Sequence, residues 1–343
     1  MEQIVIGSSN LTTSRIGLGT WAIGGWMWGG SDEAQSISTI RAAVERGVTL
    51  IDTAPVYGFG HSEEIVGKAL AHGLRDKVQI ATKVGLAWRN GAVYRDSRPQ
   101  RIRSEIEDSL KRLRTDVIDL YQVHWPDYET ALDETARTLE ELRREGKIRA
   151  IGVSNYSPEQ MNAFGAYARL DAVQPPYNLF EREVEDGVLP YAVRNGLTVL
   201  SYGALCRGLL SGRMTPQSRF EGDDLRKVDP KFQAPRYAQY LAAVEELKRL
   251  ARERYGKSVL ALALRWVLDQ GPTIALWGAR RPEQLEPLAE IDGWHIDEAA
   301  KREIDAILAR SITDPVSPAF MAPPLKRPKT VAVDTRDDIT ATA

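Results

Sequence analysis

The chain holds a single cysteine, Cys206, in 343 residues. No disulfide and no thiolate-rich metal site can form within it, and such usage suits a reducing compartment. Histidine is nearly as scarce. His61, His72, His124 and His295 stand at no close metal-ligand spacing, so no metal is expected. Net charge is small: 45 basic against 47 acidic side chains leave a formal −2. No field favours nucleic acid or anionic lipid. The basic runs Lys111–Arg114 and Lys326–Lys329 read as a solvated helix face and a solvated tail. No 18 consecutive residues are apolar, so no bilayer span is expected. The start, "MEQIVIGSSN", carries an acid and no apolar core, unlike a secretory signal. Together these absences point to a soluble cytoplasmic protein without nucleic-acid or membrane partners. A homo-oligomer is compatible with them.

What is present is a repeated alternation of short apolar runs and helical sequence. "QIVIGSSNLTTSRIGLGT" reads as a β-hairpin leading into a strand at Ile16–Leu18. The next strands are "VTLID", "VQIATKV", "VIDLYQVH", "IRAIGVSN", "AVQPP", "LTVLSYGAL" and "TIALWG". Helical segments lie between them. Asp32–Gly47 has Ser31 as cap and Gly47 as stop. "HSEEIVGKALAH" is opened by Ser62, and Pro99 stands near the start of "PQRIRSEIEDSLKRLR". "ETALDETARTLEELRREG", Ser157–Leu170, "EVEDGVLPYAVRNG", "SVLALALRWVLDQ", "RPEQLEPLAEI" and Asp297–Arg310 complete the set. Eight strands, each followed by helical sequence, imply parallel pairing with right-handed crossovers and closure into a (β/α)8 TIM barrel with an N-terminal β-hairpin. An open doubly wound sheet is the competitor. It lacks its G-x-G-x-x-G fingerprint, which "GGWMWGG" at 24–30 does not match.

Two stretches fall outside the alternation. Residues 213–235 are polar, with Pro and Gly, and read as a long mobile loop. Residues 311–343 carry five prolines and a polar end, "DTRDDITATA". They read as a partly disordered tail after a single barrel domain over 1–310.

In a parallel barrel the C-terminal strand ends share one face, and that face carries the chemistry. Asp52 and Tyr57 follow strand two, and Lys83 and His124 end strands three and four. Ser154 and Asn155 end strand five, Gln174 strand six, and Tyr202 strand seven. Gly278 and Arg280 follow strand eight. One polar strand end means little, because strand ends are where polarity begins. Six strands turning polar toward one face favour a functional site.

"LIDTAPVYGFGHSEEIVGKAL", "ATKVG", "DLYQVHWPD", "IGVSNYS" and "SYGALCRGLLSG" occur in that order. This series resembles the successive motifs of the aldo-keto reductase superfamily, in particular its bacterial NADPH-dependent branch, from about Gly19 to Leu288. The resemblance implies a barrel that binds NADP(H) across its C-terminal face and reduces carbonyls. It also implies four catalytic residues: Asp52, Tyr57, Lys83 and His124. Tyr57 would be the general acid. A phenol has a pKa near ~10, and a neighbouring Lys83 ammonium is expected to lower it. Asp52 would keep Lys83 charged, and His124 would orient the carbonyl oxygen.

For the coenzyme, the resemblance implies Gly19, Thr20, Trp21 and Asp52 at the mouth, Tyr202 stacked on the nicotinamide, and Ser154, Asn155 and Gln174 on its carboxamide. Gly203, Leu205, Arg207, Gly208 and Ser211 would cover the pyrophosphate. Gly278, Arg280 and Gln284 would hold the adenosine 2′-phosphate, which favours NADP over NAD. One departure is Leu288, where the family commonly has an amide side chain on adenine.

"WAIGGWMWGG" brings Trp21, Trp26 and Trp28 to the same mouth, where Trp88 and Trp125 follow strands three and four. These aromatics either cap the barrel or, together with Tyr57 and His124, form a stacking wall for sugar or aromatic carbonyls. The reading is therefore a reversible NADPH-dependent reductase of small-molecule aldehydes or ketones. The alternative is a coenzyme-binding regulatory or redox-sensing subunit with little turnover. A metal-assisted barrel hydrolase would want grouped carboxylates or histidines at the strand ends, and only Asp52 and His124 are there.

Overall fold

Short runs rich in Val, Ile and Leu pair side by side because both of their faces can be buried. The structure, a computed structural model, describes residues 1–325. It opens with a two-stranded antiparallel hairpin, β1 Gln3–Val5 and β2 Thr12–Ser14. The barrel strands are β3 Ile16–Gly19, β4 Leu50–Asp52 and β5 Gln79–Val84, then, after a second hairpin (β6 Leu86–Arg89 and β7 Ala92–Arg95), β8 Ile118–Val123, β9 Ile148–Ser154, β10 Ala172–Gln174, β11 Thr198–Ser201 and β12 Thr273–Gly278. All eight barrel strands are parallel, and β12 pairs with β3 to close the barrel.

The helices are α1 Trp21–Gly24, α2 Glu33–Glu45, α3 His61–Ala69, α4 Pro99–Leu113, α5 Leu132–Arg144, α6 Pro158–Gly165, α7 Val188–Arg194, α8 Arg236–Tyr255, α9 Val259–Leu268 and α10 Glu298–Ser311. Strand alternation divides the core into two. Leu50, Leu120, Leu200 and Ile274 fill the barrel lumen, and Ile6 and Leu11 of the first hairpin plug its N-terminal end. Their neighbours Ile51, Tyr121, Val199 and Ala275 face outward against the helices. The lumen is packed below, and a cavity opens at its C-terminal mouth.

The eight-stranded barrel and the N-terminal hairpin agree with the sequence reading; several local boundaries do not. Asp32, not Ser31, caps α2, its carboxylate accepting from the Gln35 amide. Ser62 lies inside α3, with its hydroxyl turned inward to Thr20 and Thr53. The helix expected over Ser157–Leu170 stops at Gly165. The segment "EVEDGVLPYAVRNG" breaks at Gly187 into a 3-10 turn, Glu183–Asp186, and α7. Pro287 keeps Pro282–Glu290 in 3-10 geometry.

The sequence reading lacks a second hairpin, the helix α8 and the short α1. Asn90 and Gly91, both at positive φ, turn β6 into β7, which is the asparagine–glycine hairpin signal. The longest helix, α8, buries Tyr240, Ala243, Val244, Leu247, Leu250 and Ala251 at helical spacing. Residues 213–235, expected as a mobile loop, form a strap with 3-10 turns at Leu225–Lys227 and Pro230–Phe232. Beyond Ser311 the chain turns back toward the mouth as far as Leu325. The basic run at 326–329 and the polar end of the expected tail lie outside the described residues.

Candidate active site

Strand β4 delivers Asp52 to the mouth, and the chain then folds into a tight loop that starts with the Tyr57 amide bonded to the Ala54 carbonyl. Backbone packing holds this loop. A Cβ on Gly24 would meet the Tyr57 carbonyl carbon at 2.6 Å, and one on Gly58 the Gly24 carbonyl oxygen at 2.1 Å. Hydroxyls of Thr20, Thr53 and Ser62, all buried, bond to one another beneath it. Asp52 and Tyr57 therefore emerge five residues apart on one rigid turn.

Lys83 rises beside them from β5 and has no solvent exposure. Its ammonium donates to Asp52 Oδ1 at 2.7 Å, to the Thr53 carbonyl at 2.9 Å and to the Tyr57 hydroxyl oxygen at 3.2 Å. An ammonium has three hydrogens and no lone pair. All three are placed, so the Tyr57 oxygen accepts from Lys83, and its own hydrogen is free to point at the cavity.

Burial first, and the Asp52 charge second, raise the Tyr57 phenol well above its usual range. This corrects the expectation of a lowered value. The ammonium is itself paired to a carboxylate, so removal of water around the phenol outweighs it. Burial lowers Lys83, and Asp52 opposes that shift. His124, the residue after β8, lies edge-on to Tyr57 with ring centroids 5.7 Å apart. Burial, then the Lys83 charge, push its imidazole well below the usual histidine value, so it is neutral at pH 7.

A cavity of about 650 Å³ runs from these groups to Arg280. Gly19, Thr20, Trp21, Trp26, Trp28, Trp125, Ser154, Asn155, Gln174, Tyr202, Gly203, Leu205, Gly208, Gly278 and Gln284 lie along its wall as the sequence expects. Three expected residues behave otherwise. Trp88 turns its ring to Phe59 and Arg101, behind the wall. Ser211 bonds back to the Gly208 carbonyl and is not on the wall. Arg207 reaches the wall, but its guanidinium is committed to Asp229 and Glu181, each at 2.6 Å. Lys231 approaches the same Glu181 at 2.9 Å. Burial alone would raise Glu181, yet the two cations hold it below its usual range. This cluster fixes a backbone in which Cys206 and Arg207 both take positive φ. Such a conformation costs on the order of 1–3 kcal/mol per residue and persists only where surrounding structure imposes it.

Three wall segments escape sequence reasoning, the first being the β6–β7 hairpin, which contributes Leu86, Ala92 and Val93. The strap closes over the cavity from one side. Asp223 accepts from the Met27 and Gly29 amides at 2.8 and 2.9 Å, and Arg226 stacks 5.1 Å from the Trp28 ring. From the other side comes Phe320–Pro324. Phe320 packs against Arg207 and Lys231, and the Pro323 carbonyl accepts from Arg95 at 3.0 Å. Prolines in this stretch read as disorder by composition, and only the folded barrel shows what they lie on. Among the described residues no cluster of potential metal ligands occurs, and no helix is long and apolar enough to cross a membrane.

Residues 15–309 match the model of the aldo/keto reductase family. The chain is 60% identical over 328 residues to the aldo-keto reductase YhdN of Bacillus subtilis (strain 168), spanning 95% of this chain and 99% of that protein. It is 40% identical over 301 residues to the NADH-specific methylglyoxal reductase of Escherichia coli (strain K12), spanning 83% and 91%. Among solved structures it resembles the glycerol dehydrogenase AKR11B4 from Gluconobacter oxydans, with TM-score 0.85, 56% identity and coverage of 93% and 99%. It also resembles the holo form of AKR11C1 from Bacillus halodurans, with TM-score 0.75, 28% identity and coverage of 90% and 96%.

Two outcomes follow from the site's electrostatics. Lys83→Met strands the Asp52 carboxylate in a buried site and is expected to lower unfolding free energy by about 3–5 kcal/mol, read from urea unfolding at pH 7. A loss under about 1 kcal/mol, the ceiling for an exposed pair, would contradict a buried tie. The depressed His124 value means that the unfolded chain binds a proton the native state refuses. Stability therefore rises with pH through this group, and is lost as pH falls below about 6.5, by up to about 1.4 kcal/mol per unit. His124→Asn should remove that part of the slope between pH 7 and pH 5.

Proposed function

The chain belongs to the aldo/keto reductase family, oxidoreductases of small-molecule carbonyls that use nicotinamide coenzymes, and we propose that it is an NADPH-dependent reductase of aldehydes or ketones with Tyr57 as general acid. The observation that carries this reading is the Lys83 ammonium reaching Asp52 and the Tyr57 oxygen together at the wall of a long cavity.

The residues present fit a nicotinamide dinucleotide. Gln174 turns its amide nitrogen inward to Asp52 at 2.8 Å, which leaves its oxygen for an amide donor. The buried indole nitrogens of Trp21 and Trp28, two residues of the cavity wall, find no protein partner. Gly19 and Gly278 face each other across neighbouring strands with no side chain between. When bound, such a coenzyme supplies the hydride.

The chain's own residues handle the proton. With its oxygen held by Lys83, the Tyr57 hydroxyl donates to the carbonyl oxygen as negative charge grows there, and the ammonium then stabilises the phenolate. The high resting value of the phenol keeps it protonated until that moment. His124, neutral, can hold the same oxygen without competing as an acid. In the reverse direction Tyr57 takes the proton back, so one site serves alcohol oxidation. Trp21 lies nearly parallel to Tyr57, 6.0 Å between ring centroids, and with Trp26 and Trp125 gives the substrate end flat apolar walls suited to sugar or aromatic carbonyls.

NADP is favoured by Arg280, which reaches the far end of the cavity and bonds to the Trp28 carbonyl at 2.9 Å. Its neighbour Arg226 is neutralised by Asp224, while Arg280 is bonded to no carboxylate among the described residues. A guanidinium so placed can take a 2′-phosphate.

With a panel of aldehydes, ketones and sugars, Tyr57→Phe should keep coenzyme affinity and lose roughly 10²–10⁴ in turnover. Retained turnover would remove the proton donor from this account, and a wild-type protein that binds coenzyme but reduces nothing would support the regulatory-subunit alternative. Arg280→Ala should raise the KM for NADPH about tenfold or more, the worth of a charge-assisted contact, with NADH little affected. An equal loss with both coenzymes would overturn the NADP assignment.

A further inference from the structure

Gln122 is an amide in the barrel lumen, between apolar neighbours and without solvent exposure. Burying an unpaired amide is costly, so its partners show what it does. The Asp52 carboxylate only accepts, so the side-chain atom facing it must be nitrogen, and this sets both nearby amides without ambiguity. Gln174 Nε2 donates to Asp52 Oδ2 at 2.8 Å, and Gln122 Nε2 reaches the same oxygen at 3.4 Å. The second hydrogen of Gln174 Nε2 goes to Gln122 Oε1 at 3.2 Å. Both hydrogens of the Gln174 amide are thus held inside the barrel, and only its oxygen is presented to the cavity. On the other side of Asp52, Oδ1 receives Lys83.

The backbone makes room for this arrangement. Gln122 on β8 is opposite Gly152 on β9, and a Cβ on Gly152 would meet Gln122 Cγ at 2.9 Å. A larger residue at 152 would displace the amide from between Asp52 and Gln174.

We propose that Gln122 is a positioning residue that locks the Gln174 amide with its oxygen outward, and so selects a coenzyme whose nicotinamide carries an amide N–H donor. The inference rests on the dinucleotide reading given above. Gln174 itself joins the carboxamide end of the coenzyme to the carboxylate that holds Lys83, and Gln122, which lies off the cavity wall, braces that link by accepting the second hydrogen of the Gln174 amide.

The test compares NADPH with its reduced 3-acetylpyridine analogue, in which a methyl ketone replaces the carboxamide and no N–H remains. Dissociation constants are read from quenching of tryptophan fluorescence, independently of turnover. The wild-type protein is expected to prefer NADPH by about tenfold, the value of one well-placed hydrogen bond. Gln122→Met should bring that ratio toward one by weakening NADPH alone. Gly152→Ala should do the same by pushing the amide aside, and it provides the readout should the first variant fail to fold. In a Gln122→Ala background Gly152→Ala should change the ratio no further. A wild-type ratio retained in either folded variant overturns the role of Gln122 and leaves the reductase reading intact. A wild-type protein that binds neither dinucleotide overturns the reductase reading itself.

Discussion

The Lys83 ammonium is the contact on which the site depends. It is fully buried, has three hydrogens, and spends them on the Asp52 carboxylate, the Thr53 carbonyl and the Tyr57 hydroxyl. Each of these comes from β4 or the loop that follows it, so one side chain from β5 fixes the geometry of its neighbour. The cost of burying a charge is met by a carboxylate that is itself held on its other oxygen by amides. Because the ammonium cannot accept, the phenol is left with its hydrogen toward the cavity, and burial keeps that hydrogen in place. The proposed acid is therefore set by direction and by delayed release. A permanently lowered pKa is not required.

Around this centre the chain builds rigidity from unlike parts. The barrel supplies parallel strand ends at fixed separation. Backbone contact at Gly24 and Gly58 sets the Tyr57 loop. On the far side of the cavity a buried group of two carboxylates and two cations, Glu181, Asp229, Arg207 and Lys231, binds the strap to the barrel. Phe320 rests on the same cations, so the C-terminal segment and the strap share one anchor. The mouth is bounded by segments that are distant in sequence and joined at that cluster.

How much of this was legible follows from the range of the interactions. The eight strands could be read because parallel, doubly buried strands leave runs of Val, Ile and Leu that survive without context. Asp52, Lys83 and His124 could be placed on one face because each ends such a run. Two misses had local signals: the Asn90–Gly91 turn, and the apolar spacing of α8, which is diluted by charged residues. Others had none. Arg207 beside glycines resembles a phosphate ligand until Glu181 and Asp229 are seen on its guanidinium. Trp88 shares the hairpin face of Leu86 and Val93, which line the cavity, but its ring is taken up by Phe59 and Arg101 beyond that lining. Gln122 gives no sign in "DLYQVHWPD" that its amide ends between two others, because its partners are 70 and 52 residues away.

Neutron diffraction from crystals of the coenzyme complex at neutral pH tests the central claim most directly, since it locates the hydrogens on Lys83 and Tyr57. The account predicts three hydrogens on Lys83 Nζ, one of them toward the Tyr57 oxygen, and the phenolic hydrogen directed into the cavity. A neutral amine with the phenolic hydrogen pointing at its nitrogen would contradict it.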